Sequence, residues 1–498
     1  MSRSKETAIA EGSLDIGHAR GAKTGNSYIE GLRDSREVWL NGEKVDVTTH
    51  TAFKGNLTEL ARLYDLQHTP ALQKQMTFVS PDTGNLVSYS YSLPDSPTEL
   101  ELKWRNSHIW MENSWGQLPR LPDFMSNVMV GVYDYRNELG LADPRFKQNA
   151  VNYYTYCREH DICLTHALGD PQIDRSGGPA IDPDMALRVM KETADGVIVC
   201  GAKQLATLAP VADEVLIYLS PSFAMREHKE FVLWAALPLA TPGLKVLCRE
   251  PQSHANEACG HSHPFAWRYD EQDAMLFFDN VLIPWERVLL LYNSEIAAKG
   301  FERINAWSLY SGQIRFYHRL QTFIGVASLL AESIGVNGFR EICNSLGELA
   351  SYAQMTKLVL KGLQQEAYLT NGGLYAPGDT TASGVFAAQV SPRLVEILKE
   401  IAASGLVMQP SEADLSNPEL KPFLEKYMRG KDIDVYQKSR LFRLAWDLAG
   451  DSYGMRQELY EHWYRGDIVR NRINLFAQYD CKQIKQKLKS LISKPIQP

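Results

Sequence analysis

Asp195-Gly196-Val197-Ile198-Val199-Cys200-Gly201-Ala202 marks the point where the residue pattern of the chain changes. A turn dipeptide opens a short β-branched run and a second glycine closes it, which is the signature of a strand. The pattern continues in Val215-Leu216-Ile217-Tyr218, 231–236, Lys245-Val246-Leu247 and 274–281. Short strands recurring between turn signals predict a small antiparallel β-barrel or sandwich over 163–288.

On both sides of this region the period is helical. Upstream, Leu57, Leu60, Leu63 and Tyr64, then Val128, Val130, Val132 and Tyr133, recur at helical spacing, broken by turns such as Pro81-Asp82-Thr83-Gly84. This predicts a helical N-terminal domain over 27–162, preceded by a Gly-, Ser- and Lys-rich stretch, 1–26, read as a mobile tail. Downstream of Pro284 the segments 314–334, 342–369, 394–408, 420–428 and 435–464 predict a C-terminal helical bundle over 289–498. The expected fold is mainly α with a central antiparallel β-barrel domain.

Composition narrows the function classes. The 498 residues carry 52 Lys+Arg against 59 Asp+Glu, a formal charge of −7, which argues against a nucleic-acid binder that works by neutralising phosphates. Lys482, Lys485, Lys487 and Lys489 lie at helical spacing and are read as a solvated face. The 7 cysteines are odd in number and scattered, and no apolar h-region opens the chain, so a reducing cytoplasm is expected. No apolar run reaches the ~18 residues of a membrane span; the most apolar stretch, 231–247, is interrupted by Pro238 and Pro242.

Common motifs are missing. The chain has no G-x-G-x-x-G, G-x-x-x-x-G-K-[ST], G-x-S-x-G or H-E-x-x-H, so Rossmann, P-loop, serine-hydrolase and zincin chemistry lose support. His254, Cys259, His261 and His263 are metal-ligand types, but their spacing is too tight for a usual structural zinc site. They are read as a mobile surface loop, and no metal is predicted.

Several segments in one order carry the functional reading: Arg120-Leu121-Pro122-Asp123-Phe124; Leu164-Thr165-His166-Ala167-Leu168-Gly169-Asp170-Pro171-Gln172-Ile173-Asp174-Arg175; Gly201-Ala202-Lys203 with Ala206-Thr207; Phe277-Phe278-Asp279-Asn280-Val281-Leu282-Ile283-Pro284-Trp285-Glu286-Arg287-Val288; and Gly450 with Tyr453-Gly454, Arg456 and Glu458-Leu459-Tyr460. Together they resemble the large oxygenase component of the 4-hydroxyphenylacetate 3-monooxygenase family, from about Tyr28 to about residue 470. The resemblance implies an acyl-CoA dehydrogenase-like fold and a two-component flavin monooxygenase. Such an enzyme receives FADH2 from a separate NAD(P)H:flavin reductase, reacts it with O2 to a flavin C4a-hydroperoxide, and hydroxylates a phenol ortho to its hydroxyl. It also implies a homotetramer, to which the many apolar faces of 314–334 add support.

The resemblance assigns roles. Arg120 and His166 become the catalytic pair at the phenol oxygen: a permanent cation stabilises the phenolate, and an imidazole accepts its proton. The ordinary alternatives are a surface ion pair of Arg120 with Asp123 and a strand histidine satisfied inside the barrel. Phe124 and Ser222 join them as substrate-binding positions, with Phe124 standing where the phenylacetate enzymes have Tyr. His166, Ala167, Leu168, Gln172, Asp174, Arg175, Thr207, Ser452, Tyr453, Gly454 and Arg456 become cofactor-binding, Arg456 pairing either with a phosphate or with Glu458. Trp285 is expected to be buried and structural.

Three rivals stand beside this reading. An iron–sulfur flavin dehydratase acting on 4-hydroxybutyryl-CoA would need first-domain cysteines, and residues 1–156 contain none. An acyl-CoA dehydrogenase would need a carboxylate base such as Glu348, Glu366 or Glu396. A flavin-binding scaffold would leave the polar site unexplained. Within the oxygenase reading the phenol is open: free, halogenated, tyrosine-derived or tethered to a carrier protein.

Overall fold

The computed structural model describes residues 14–174, 176, 182, 184, 186–218, 228–252 and 259–493. The helical, β, helical order holds, and the β region is two sheets. The six-stranded sheet runs in the order Glu43–Lys44, Glu37–Leu40, Leu244–Cys248, Asp273–Pro284, Gly196–Thr207, Arg188–Glu192. The four-stranded sheet runs Val288–Leu291, Leu233–Pro238, Glu214–Ile217, Leu164–Ala167.

Three details correct the expected antiparallel barrel. The sheets do not close among the described residues; a single isolated bridge, Gly169 to Gln204, links them. Edge strand Leu164–Ala167 lies beside strand Gly196–Thr207 of the other sheet, and the Thr165 hydroxyl donates to the Thr207 carbonyl, but no ladder forms between them among the described residues. Two pairings are parallel: Glu37–Leu40 with Leu244–Cys248, and Leu164–Ala167 with Glu214–Ile217. The first of these brings in a strand from the segment expected to be helical. It belongs to a hairpin turned by Asn41 and Gly42, both at positive φ (52° and 86°), a geometry that Asn-Gly favours.

The glycine expected to end the first strand lies inside it. Strand Gly196–Thr207 is continuous through Gly201, whose φ is +126°, and a Cβ there would come within 2.6 Å of the Ala186 carbonyl. Gly201 lets the strand pass close to Ala186 rather than ending it. The N-terminal segment also engages earlier than its composition suggested, since Ala22 is buried and Lys23 pairs with Asp213. Residues 1–13 lie outside the described residues.

Helix Ala306–Ser333 is the axis of the bundle and packs on Pro97–Asn113, Pro122–Asp134, Arg340–Gln365 and Thr381–Ala402. The segment 435–464 divides into Val435–Ala449 and Ser452–Trp463 at Gly450. Trp285 is half-buried, not enclosed: Arg145 stacks on its outer face at 4.6 Å. The buried member of that junction is Arg287, which donates to Glu214 at 2.7 and 3.2 Å, while the Tyr153 hydroxyl donates to the same carboxylate at 2.8 Å. Removing the cation would leave Glu214 charged in an apolar setting. We therefore expect Arg287→Met to lower stability by about 3–5 kcal/mol in denaturant titration, far more than loss of a surface ion pair.

Candidate active site

The site begins at a helix start. Pro122 opens helix Pro122–Asp134, and the carboxylate of Asp123 in its first turn is fully buried. It accepts hydrogen bonds from Ser90 Oγ (2.6 Å), Ser107 Oγ (2.9 Å), Ser311 Oγ (2.7 Å) and the amides of Asn106 and Asn127 (both 3.2 Å). Nearby, burial pushes the Lys103 ammonium down to about 7, and its Nζ donates to the carbonyls of Ser90 and Ser92. Asp123 is thus committed to fixing the helix and is not the partner of Arg120.

Arg120, one residue before the helix cap, is buried and held at several points. Its backbone N–H donates to Glu271 Oε1 at 2.7 Å. Its Nε donates to His166 Nε2 at 3.1 Å, its Nη1 donates to the Tyr460 hydroxyl, and its guanidinium lies 4.2 Å over the Phe124 ring. Phe124 in turn meets the His166 ring edge-on at 6.1 Å. The pair chosen from sequence and its neighbour Phe124 therefore form one cluster.

The contacts fix the protonation of His166. An arginine only donates, so Nε2 must be the acceptor and the ring proton sits on Nδ1. Nδ1 lies 3.1 Å from the Tyr218 hydroxyl, which donates to Asn305 Oδ1 at 3.0 Å. Burial and then the Arg120 charge hold the imidazole well below its ordinary range, so it is neutral.

Behind Arg120 lies a charged seam. Arg456 donates to Asp273 at 2.9 and 2.6 Å and to Glu271 at 3.3 Å, so its partners are these carboxylates and not Glu458. Arg249 adds a contact to Asp273 at 3.0 Å. Burial pushes Glu271 up to about 7 against the pull of Arg456, whereas at Asp273 the charges of Arg456 and Arg249 overcome burial and hold the carboxyl well below its usual range. Thr207 Oγ1 donates to Asp273 Oδ1 at 2.7 Å, which places the expected flavin-facing hydroxyl on this seam.

The other expected cofactor residues are more dispersed. Ala167 is buried in its strand, and the Leu168 carbonyl lies 3.5 Å from Lys203 Nζ, which pairs with Asp170. Gln172 and Asp174 are exposed, Asp174 accepting from Ser176. Ser452 is the first residue of its helix under the Asp451 cap. The Tyr453 hydroxyl accepts from Gln457 at 3.0 Å, and Gly454 allows close helix packing, since a Cβ would come 2.6 Å from the Asp447 carbonyl. Arg175, Ser222 and His254 lie outside the described residues, as do the side chains of Cys259 and His261.

His263 corrects the mobile-loop expectation. Its Nδ1 lies 3.1 Å from Asp447 and 2.9 Å from Asp451, and those two carboxylates raise its pKa to about 9 despite partial burial. The cation clasps this end of the loop to the C-terminal helices.

Sequence reasoning missed Tyr218, Asn305, Glu271, Asp273 and the role of Tyr460. Only Tyr460 had a signal, as the last residue of the quoted C-terminal motif. The rival bases do not reach the site: Glu348 pairs with Arg393 at 3.0 Å, and Glu366 and Glu396 are exposed. Cys157 and Cys163 are buried, and burial pushes both thiols up, away from the thiolate that a cluster needs.

The His166 assignment is measurable. With its folded pKa depressed, the native ring binds no proton where the unfolded chain's imidazole does, so this group subtracts stability as pH falls below about 6.5. In ¹⁵N-histidine spectra we expect a neutral Nδ1–H ring at His166 that does not titrate between about pH 8 and 6. A ring that charges in that range would refute the arrangement.

Comparisons with known proteins identify the family. The profile described as 4-hydroxyphenylacetate 3-hydroxylase N terminal matches residues 24–290, and its C-terminal counterpart matches 297–493. The oxygenase component of 4-hydroxyphenylacetate 3-monooxygenase from Thermus thermophilus is 34% identical over 95% of this chain and 98% of its own length. A Streptomyces globisporus monooxygenase acting on a carrier-protein-bound (3S)-3-amino-3-(3-chloro-4-hydroxyphenyl)propanoyl group is 32% identical, over 91% of this chain and 86% of its own. A crystal structure of a 4-hydroxyphenylacetate 3-monooxygenase oxygenase component with FAD and 4-hydroxyphenylacetate superimposes with a TM-score of 0.89 at 33% identity, covering 95% of this chain and 98% of that one. With both halves matched, an acyl-CoA dehydrogenase-like fold, and relatives above 30% identity along nearly the whole length, the chain belongs to the 4-hydroxyphenylacetate 3-hydroxylase family of flavin-dependent monooxygenases.

Proposed function

We propose that this chain is the oxygenase component of a two-component system that hydroxylates a phenol ortho to its hydroxyl, using O2 and FADH2 supplied by a separate NAD(P)H:flavin reductase. The observation that carries it is the buried cluster in which Arg120, a permanent cation, sits between His166 and the face of Phe124. A free phenol ionises near pH ~10, and an adjacent cation lowers such a value by about 1–3 units. Arg120 therefore brings a bound phenol into the neutral range, and a phenolate is much richer in electrons at its ortho carbon.

His166 offers the phenol proton one acceptor, Nε2, whose lone pair the Arg120 Nε–H occupies when no substrate is bound. The proton reaches Nε2 as Arg120 turns its donors to the phenolate, and the new negative charge then stabilises both cations. Tyr218 and Asn305 keep Nε2 as the acceptor throughout.

The residues beside this cluster fit FAD. Gln272, between Glu271 and Asp273, is buried with neither its amide oxygen nor its amide nitrogen bonded among the described residues. Leu205, next to the Gly169–Gln204 bridge, exposes apolar surface. An unspent buried donor and acceptor next to Asp273, the strand partner of Thr207, suit the polar rim of a ring system. Thr207, Gln172, Asp174, Gln272 and the 167–168 backbone would hold it, and reduced FAD supplies the chemistry that activates O2.

The phenol is a 4-hydroxyphenyl compound, free or carrier-bound; the carrier-acting relative supports the second form. With FAD, NADH and a flavin reductase, the protein should hydroxylate such phenols, and without the reductase it should consume no NADH. Arg120→Ala and His166→Ala should each lower product formation by about 10²-fold, diverting oxygen to hydrogen peroxide while FADH2 affinity holds. NADH oxidation by the chain alone, or variants that hydroxylate normally, would refute the assignment.

The assembly we propose is a homotetramer. Helices Ile468–Gln478 and Lys482–Ile492 bury nothing within one chain, yet Ile473, Phe476, Leu491 and Ile492 are each at least 62% exposed. Light scattering should give four times the 56.1 kDa chain mass. The cytoplasm suits the described cysteines, all of them free, and no helix among the described residues is long and apolar enough to cross a membrane.

A further inference from the structure

We propose that Tyr460 is a third member of the phenol-oxygen site: its hydroxyl oxygen holds Arg120, and its O–H is presented to the oxygen that Arg120 binds. The inference rests on the phenol reading of Arg120 and His166.

The donor count points to it. Arg120 spends Nε on His166 and Nη1 on Tyr460, and its Nη2 has no partner among the described residues. Tyr460 accepts from Arg120, which leaves its own hydrogen unspent, and no acceptor for that hydrogen occurs among the described residues. Two unspent donors, one on the buried guanidinium and one on the partly buried hydroxyl bound to it, thus sit together. An anionic oxygen satisfies both; an ether oxygen brings no charge to reward them.

Tyr460 is held in place. Its ring stacks on Tyr464 at 4.9 Å and 11°, and the guanidinium carbons of Arg120, Arg315 and Arg456 lie 5.0, 5.6 and 5.5 Å from its centre. Arg315 is fixed by Glu461 at 2.7 Å and Arg456 by Asp273 at 2.6 Å. Burial, opposed by Arg120 and Arg315 and assisted by Tyr464 and Glu271, keeps the hydroxyl protonated above its ordinary range, so it remains a donor. Phe124 offers only a ring face to the same guanidinium. Next to Arg120, the hydroxyl of the site therefore comes from the C-terminal helix Ser452–Trp463. The consequence is selectivity for phenols with a free, ionisable hydroxyl.

The test uses 4-nitrophenol, whose phenolate absorbs visible light, bound to the FADH2-loaded protein without oxygen. In Tyr460→Phe the ionisation midpoint of the bound phenol should rise by about 1 pH unit, a tenfold weaker preference for the phenolate. Turnover with O2 and reductase should yield more hydrogen peroxide per hydroxylated product, while FAD affinity and Tm stay at wild-type values. Tyr464→Phe controls for packing, because the Tyr464 hydroxyl faces Gln313 at 3.5 Å, and should leave the midpoint in place. A Tyr460→Phe midpoint equal to wild type, with Arg120→Gln raising it, would overturn the role of Tyr460 alone. A wild-type protein that neither shifts the ionisation of 4-nitrophenol nor hydroxylates any phenol would overturn the phenol reading itself.

Discussion

Glu271 and Asp273 share one buried guanidinium, that of Arg456, and the placement of the site follows from this sharing. Glu271 accepts the Arg120 backbone N–H, Asp273 accepts the Thr207 hydroxyl, and Arg456 belongs to the helix that carries Tyr460. One charged seam therefore joins a loop of the N-terminal helices, a β-strand and the C-terminal bundle. Burying such groups is expensive, and the expense is offset only while every member is present. The three parts are consequently held in one relative position rather than merely in contact.

The Asp123 carboxylate plays the matching part on the other side of Arg120. Five side-chain donors from four chain segments converge on it, so the start of helix Pro122–Asp134 has little freedom to rotate. Phe124 lies one residue further along that helix, and its ring is the floor on which the Arg120 guanidinium rests. Fixing a cation in advance of the substrate matters because the energy of reorienting solvent or side chains is then not spent during the reaction.

What was legible in the sequence divides along a physical line. Helix-period segments and β-branched runs are local signals, and they located the bundle and most strands; the motif around Arg120 and His166 led to two side chains that meet at 3.1 Å. Long-range pairing left little local trace: Asn41-Gly42 marks a hairpin but not the distant partner of its first strand. The parallel strand Glu37–Leu40 has partners more than 200 residues away, and closure of the two sheets goes no further among the described residues than the Gly169–Gln204 bridge. Gly201 read as a turn because a glycine that admits a close backbone neighbour within a strand looks the same as one that ends it. Glu271, Asp273, Tyr218 and Asn305 are ordinary residues in ordinary contexts, and only the fold brings them to the site. Tyr453 and Gly454 show the converse: residues in a recognisable motif whose contacts in this chain are helix packing.

The pairing of Arg120 with a neutral imidazole has its own logic. A carboxylate paired with the Arg120 guanidinium itself would cancel its charge and leave little to stabilise a phenolate; a second cation would repel it. A neutral acceptor holds the guanidinium by one hydrogen bond while leaving its full charge available. Burial keeps the imidazole in that state, and the Tyr218–Asn305 chain keeps its lone pair on the side where it is needed. The same low dielectric that makes an uncompensated Arg120 costly makes its attraction to an arriving anion strong. The site is therefore arranged so that ionising the substrate is what relieves it: the phenolate supplies negative charge at the Arg120 guanidinium, whose hydrogen-bond partners among the described residues are the neutral His166 and Tyr460.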